Sequence, residues 1–485
     1  MPPQFDSLRG MLSLPFLRPR TEPGDLVLGR VGTSPFAPFY HLPLHARSSH
    51  THVVGLSGRG KSKLLEWMCY QDIASGIGAG VIDPHSLLID DLVRHLLTKR
   101  VLENTDIRER IIYVDPSRED YVIPFNVLAT PDKPYAVATS VLEAFRRTWP
   151  QSLKEAPHFS NIMFHALLLA IKSRLTLMHL PNMLVNKSFR DTMLSQAGDP
   201  DLTSFFHDRY DQWKDPVMRE STLNKATALS INPYLKVMLG QRENHLDFRA
   251  IQDEKKILLV SLGNCDPETR HLIGSLFVTG IELAMRRRRK RNLWNLTIDE
   301  FSGYVAQEGS AETLEHVLSE GRKFRMTMTA AHQTLSQLTP GMLGALANVG
   351  VKILFGIGRY DAEHFAKIVW YVDTEAVKRS PKTESQHEVF SPLPEQWEKY
   401  VDTLRFQRPR RATVACEGRD TVSLTTFPIP PYRAGDEELS AFYRECLVRC
   451  GIPYSQAKRN LGGQLYTQER SPYPVGELSI AEDLP

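Results

Sequence analysis

The stretch Gly55-Leu56-Ser57-Gly58-Arg59-Gly60-Lys61-Ser62 constrains the fold more than any other in this 485-residue chain. Its spacing is G-x-x-x-x-G-K-S, and each residue type has a physical task. Glycines let consecutive backbone N–H groups curl around phosphate oxygens. Lys61 brings a positive charge to those oxygens, and Ser62 a hydroxyl that ligates Mg²⁺. The flanks agree. Thr51-His52-Val53-Val54 reads as a short strand and Lys63-Leu64-Leu65-Glu66-Trp67-Met68 as the start of a helix, whose N-terminal dipole favours an anion. Gly55, Ser57, Gly58, Arg59, Gly60, Lys61 and Ser62 are therefore the candidate nucleotide-binding residues.

Beyond this loop the chain repeats the same grammar. Apolar runs at 78–83, 111–114, 256–262, 293–298, 326–331 and 351–356 alternate with helical patterns, which implies an α/β fold with a mostly parallel sheet. Ligands of such sheets sit at the carboxyl ends of the strands. The 78–83 run is expected beside the strand of the phosphate loop, and 413–416 with 422–426 as a late edge hairpin. Between 131 and 245 the strand pattern vanishes, glycine is nearly absent, and 137–149, 161–174 and 217–238 carry helical apolar spacing. The expected organisation is an arm at 1–24, a nucleotide fold split into 25–130 and 246–432, an all-helical insertion at 131–245, and a C-terminal helix (437–450) and tail within 433–485.

Two strand ends carry chemistry. Leu296-Thr297-Ile298 closes on Asp299 and Glu300. An acidic residue there holds the Mg²⁺ shell, and a second carboxylate can orient and deprotonate an attacking water. The neighbouring strand closes on His332 and Gln333, and a glutamine there can bond the γ-phosphate or the water. Asp83, ending a third strand, either bears on the metal, links to a neighbouring subunit, or merely makes a turn.

Net charge is only +3, so any pull on nucleic acid must be local. The one strong cationic run, Arg286-Arg287-Arg288-Arg289-Lys290-Arg291, either complements the end of a helix predicted over 268–289 or neutralises phosphates. Five scattered cysteines form no disulfide framework and suit a reducing cytosol. No stretch reaches the 18 or so apolar residues that a membrane span needs, so the expected location is cytoplasmic.

Taken in order, these pieces resemble the conjugative coupling-protein (TraG/TraD-type) branch of the FtsK/HerA superfamily of ring ATPases, from about Gly24 to Tyr454. The resemblance rests on HVVGLSGRGKS, VIDPHSLLIDDLV, Pro124-Phe125-Asn126, LNKATAL at 223–229, LTIDEFSGY, EGRKFRMTMTAAHQTLSQL and NVGVKILFGIGRYDAEHFAKIV. It implies a RecA-like motor with an inserted helical domain, a homo-hexameric ring, and ATP- and Mg²⁺-dependent movement of DNA. It also implies that Asp299 and Glu300 serve Mg²⁺ and water activation and that Gln333 senses the γ-phosphate. Two departures stand out. Many relatives carry N-terminal membrane helices, and this chain shows none, so a separate membrane anchor or a relaxase is the implied partner at the inner face of the membrane. The family also often places an arginine where this chain has Gly356. Arg359, with Arg322 as its rival, is then the candidate for a cation supplied to a neighbouring subunit. A HerA-like motor feeding a nuclease, and a nucleotide-gated scaffold that moves nothing, are the alternative readings. The intact Glu300 argues against the scaffold.

Overall fold

The computed structural model describes residues 24–34, 36–149, 158–213, 217–304, 312–372 and 392–466. The expected arm, apart from Gly24, and the tail beyond 466 lie outside the described residues. Thirteen strands are present among them: β1 (Leu26–Val31), β2 (Phe39–Leu42), β3 (Thr51–Val54), β4 (Gly78–Asp83), β5 (Ile111–Val114), β6 (Tyr121–Val122), β7 (Ile257–Ser261), β8 (Trp294–Ile298), β9 (Met326–His332), β10 (Val351–Leu354), β11 (Arg411–Cys416), β12 (Val422–Thr426) and β13 (Ile452–Pro453). Eleven form one sheet in the order β2-β1-β12-β11-β10-β3-β9-β8-β4-β7-β5, and β6 pairs with β13 apart from it.

From β10 to β5 every neighbouring pair is parallel. These strands are buried along their whole length, as expected for strands with both faces covered. From β10 to β2 the pairs are antiparallel, and β1, β11 and β12 mix buried with half-exposed positions. Two sequence expectations are corrected by this order. β4 does not neighbour β3; β9 and β8 lie between them. The β11–β12 hairpin is not an edge, because β1 and β2 extend the sheet beyond it. Local patterning shows which strands are buried, but not their order.

Two helices also end earlier than their apolar spacing implies. The helix predicted over 268–289 is Pro267–Met285, started by Asp266, whose carboxylate accepts from Thr269 N. It stops because the Asp253 carboxylate takes the N–H groups of Arg289 (3.0 Å) and Lys290 (3.1 Å), drawing them away from helical geometry. The stretch predicted as one helix over 217–238 is two, Val217–Ile231 and Pro233–Leu239. Asn232 caps the second through Tyr234 N and Leu235 N, and Pro233 has no N–H to continue the first.

Every described element between β6 and β7 is helical. Pro134–Thr148 packs along Pro267–Met285. Phe125 packs its ring against Phe277 (4.9 Å between centroids) and Phe248 (5.7 Å), so the hydrophobic core runs on from sheet to helices. Asp436–Cys450 lies against β5, with Tyr443 stacked on Tyr113 at 3.9 Å. A second C-terminal helix, Tyr454–Tyr466, precedes the expected tail and packs on Pro233–Leu239. No described helix is long and apolar enough to cross a membrane.

Candidate functional site

The phosphate loop leaves β3 and enters the helix Lys61–Ala74. Gly58 (φ +72°) and Gly60 (φ +111°) occupy the left-handed region, which a side chain would oppose. Gly55 is required for another reason, since a β-carbon there would lie 2.6 Å from Cβ of Phe355 at the end of β10. The helix has no acidic residue in its first turn and no side-chain cap, so its first N–H groups are free to meet an anion. Lys61 is buried, and its Nζ donates to the carbonyls of Gly55 (2.7 Å) and Leu56 (3.4 Å). Burial lowers its pKa, and the charges of Glu300 and Asp299 work against that shift. Ser57 is exposed at the loop's tip.

Opposite the loop, β8 ends in Asp299 and Glu300. Ser62 Oγ donates to Asp299 Oδ2 at 3.3 Å. This hydroxyl–carboxylate pair at a helix N-terminus is the hard-oxygen donor set that suits Mg²⁺. Burial pushes the Asp299 carboxyl up to about 6; the charges of Asp83 and Glu300 add to the shift, while the N–H of Glu300 (3.0 Å) and the Lys61 charge oppose it. A divalent cation would supply the missing positive charge, so the residues present fit a magnesium–nucleotide complex.

Glu300 sits at φ +47°, unusual for a glutamate, and this turn brings it to Gln333 at the end of β9. Gln333 Nε2 donates to Glu300 Oε1 at 2.9 Å. β9 lies between β3 and β8, so the glutamine stands between the phosphate loop and the acidic pair. The next residues are held by Asp361, whose Oδ1 accepts from Leu335 N (3.1 Å) and Thr334 Oγ1 (3.2 Å). Asp83 faces inward differently. Its oxygens accept from His85 N (2.9 Å) and Ile89 N (3.0 Å), which anchors the start of the helix Leu87–Thr98.

The two candidate arginines are not part of this cluster. Arg359 is the first residue of the helix Arg359–Val369, is exposed, and pairs with Glu363 (2.7 Å) and Glu398 (3.1 Å). Arg322 precedes β9, at the opposite edge of the sheet; the seven residues of that strand put it roughly 20 Å from Gln333. It donates to Ser49 Oγ at 3.4 Å.

Sequence reasoning missed two features. The segment before β11 lies on the phosphate loop: Arg410 N donates to Arg59 O (2.9 Å), and Arg59 Nη1 to Gln407 O (3.1 Å). The Arg408-Pro409-Arg410-Arg411 run was its only signal. A buried histidine pair also joins β3 to β9, with His52 Nε2 and His332 Nε2 2.6 Å apart. His332 Nδ1 lies 3.1 Å from the Thr334 carbonyl, which only accepts, so Nδ1 carries the proton. His332 Nε2 is then the acceptor and His52 the donor.

No protein-family model matches the chain, and no curated protein matches it in sequence. Its structure is similar to that of the bacterial conjugative coupling protein TrwB, with TM-score 0.58 and 15% identity over 84% of this chain and 90% of that one. TrwB in complex with ADP and Mg²⁺ matches with TM-score 0.57 and 15% identity over 84% and 91%. VirB4 of Thermoanaerobacter pseudethanolicus matches with TM-score 0.55 and 11% identity over 85% and 98%. The chain is thus an α/β protein with the RecA-like fold of the TrwB coupling protein and of VirB4.

Proposed function

We propose that this chain is a ring-forming ATPase that couples ATP hydrolysis to movement of DNA, in conjugative transfer or type IV secretion. The observation that carries this reading is one edge of the sheet. There β3, β9 and β8 end in the phosphate loop, Gln333, and the Asp299–Glu300 pair, with Ser62 3.3 Å from Asp299 and Gln333 2.9 Å from Glu300. Gly55, Ser57, Gly58, Arg59, Gly60 and Lys61 cradle the phosphates. Ser62 and Asp299 would hold Mg²⁺, which would supply positive charge to the phosphate oxygens. Glu300 takes the proton of the attacking water, and Gln333 orients that carboxylate and reads the state of the γ-phosphate. Glu300 is the group a scaffold would not need.

The motor halves are 25–130 and 246–432, and the helices of 131–245 form a domain that selects cargo. A homo-hexamer surrounds the DNA. The chain works in the cytoplasm at the inner face of the membrane, with a separate anchor protein or a relaxase as partner. The test is steady-state ATP hydrolysis with and without DNA, alongside displacement of a DNA-bound roadblock. DNA-stimulated hydrolysis with displacement is expected. Hydrolysis with no response to DNA would remove the translocation reading.

A further inference from the structure

The opposite edge of the sheet carries a second basic site. A cavity of 220 Å³ lies beneath the N-terminal ends of β4, β7, β8 and β9 and is lined by Lys255, Arg291 and Arg325, with Ser75 and Asn292 as neutral polar neighbours. Among the described residues, none of these three cations has an ion pair. The rest of the neighbouring run is divided. Arg286 pairs with Glu282 (2.9 Å), Arg287 with Asp132 (2.8 Å), and buried Arg288 with Asp253 (3.6 Å). The Asp253 carboxylate also fixes the turn that leads to Arg291, through Arg289 N and Lys290 N.

Cations here have one internal use, to complement the carbonyl end of the helix Lys61–Ala74. That end is already served by backbone donors, Ser75 N to Gln71 O, Gly76 N to Ile73 O and Ile77 N to Asp72 O, while Arg110 Nη1 donates to the neighbouring carbonyls of Gly76 (3.3 Å) and Lys255 (2.9 Å). The nearby carboxylates are engaged as well. Asp25 accepts from Leu44 N (2.7 Å), Asp106 pairs with Arg110 (3.4 Å), and Glu254 with Lys256 (3.1 Å). Lys255 (φ +55°) and Arg325 (φ +53°) are also both left-handed. Glycine adopts that geometry without the strain a β-carbon brings, yet the chain places a cation at each. Three like charges line one small cavity, an arrangement that an anion would complement.

We infer that Lys255, Arg291 and Arg325 form a phosphate-binding site, on the edge of the sheet away from the nucleotide, that takes the headgroup phosphate of an anionic phospholipid. What favours a lipid is the chain itself. Gly24 lies against Leu44 and Leu293 at the cavity wall, so the preceding segment joins the fold here. That segment carries Met11-Leu12-Ser13-Leu14-Pro15-Phe16-Leu17 followed by Arg18 and Arg20, an apolar run with cations that suits an anionic interface better than a DNA groove. Nucleotide hydrolysis plays no part in this inference, so the two readings can fail separately.

The test is co-sedimentation of the full chain with phosphatidylcholine vesicles, with and without phosphatidylglycerol. The combined variant Lys255→Gln, Arg291→Gln, Arg325→Gln is compared with a control of equal charge loss, Arg209→Gln, Lys399→Gln, Lys458→Gln. Binding only to the anionic vesicles is expected, weakened about a hundredfold by loss of the three cavity cations and little by the control. A second arm measures the rise in melting temperature with inorganic phosphate. The phosphate loop contributes equally to the wild type and the cavity variant, so a smaller rise in the variant isolates the cavity. If vesicles do not bind but this difference is present, the site takes free phosphate and the phospholipid assignment is overturned. Equal losses in the two variants, cavity-dependent binding of duplex DNA in place of vesicles, or no difference in either arm overturns the inference.

Discussion

Replacing His332 by glutamine removes a buried histidine that folding holds neutral, and the consequence depends on pH in a calculable way. Burial pushes the His332 imidazole down to about 4 from its ordinary 6.5; the Lys61 charge adds to this, and the bond to the Thr334 carbonyl opposes it. A histidine depressed in the folded state contributes stability that is intact above about 6.5. It is lost as pH falls towards 4, because the unfolded chain takes up the proton first. A difference of roughly 2.5 in pKa corresponds to about 3 kcal/mol. His50 and His179, also held near 4 by burial, act alike in both proteins and cancel from the comparison. The assay is urea unfolding of wild type and His332→Gln from about pH 7.5 to about pH 4. At neutral pH the variant is less stable, since it loses the bond to His52. On acidification the wild type falls towards it, and the gap shrinks by about 3 kcal/mol. A gap that stays constant across this range would show that the pair is not buried and neutral, and would undo the proton assignment that links β3 to β9.

Gly55→Ala puts a β-carbon 2.6 Å from Phe355 Cβ, so β3 and β10 must part where the phosphate loop begins. A loss of about 1–3 kcal/mol in stability and weaker nucleotide binding are expected, and wild-type values for both in urea unfolding and nucleotide titration would contradict the packing argument. Arg359, exposed and tethered to Glu363 and Glu398, is expected to reach a neighbouring subunit's site, where such a cation is worth on the order of a thousandfold in rate. Mixing Glu300→Gln with Arg359→Ala subunits then restores part of the activity that each lacks alone; full activity of Arg359→Ala by itself would move the role to Arg322. Replacing 131–245 by a short linker is expected to keep basal hydrolysis and lose cargo choice, and collapse of the fold on circular dichroism would show that these helices belong to the core.

The convergence of the candidate site residues on one edge of the sheet was legible because they lie in short contiguous spans. Gly55 to Ser62, Asp299–Glu300 and His332–Gln333 each follow an apolar run, and strand-end chemistry in a parallel sheet converges by construction. Strand order was not legible. The positions of β4 beyond β8 and of β11–β12 inside the sheet depend on long-range pairing that period-2 patterns do not encode. Helix ends failed where a distant side chain decided them, as when Asp253 captures Arg289 N and Lys290 N. The contact of Arg410 with the phosphate loop joins residues 351 positions apart and left only an arginine run as its trace. The pairing of His52 with His332 left no trace, since nothing local links residues 280 positions apart.

Glu300, in the proposed function, activates the water that attacks bound ATP. The most direct test is the steady-state rate of phosphate release by wild type and Glu300→Gln with magnesium and saturating ATP. Glutamine preserves the shape of the side chain and an oxygen to accept from Gln333 Nε2, so folding and ATP binding are expected to persist. The rate is expected to fall about a hundredfold to ten-thousandfold, the range a positioned general base supplies. A Glu300→Gln protein that releases phosphate at the wild-type rate would contradict the account.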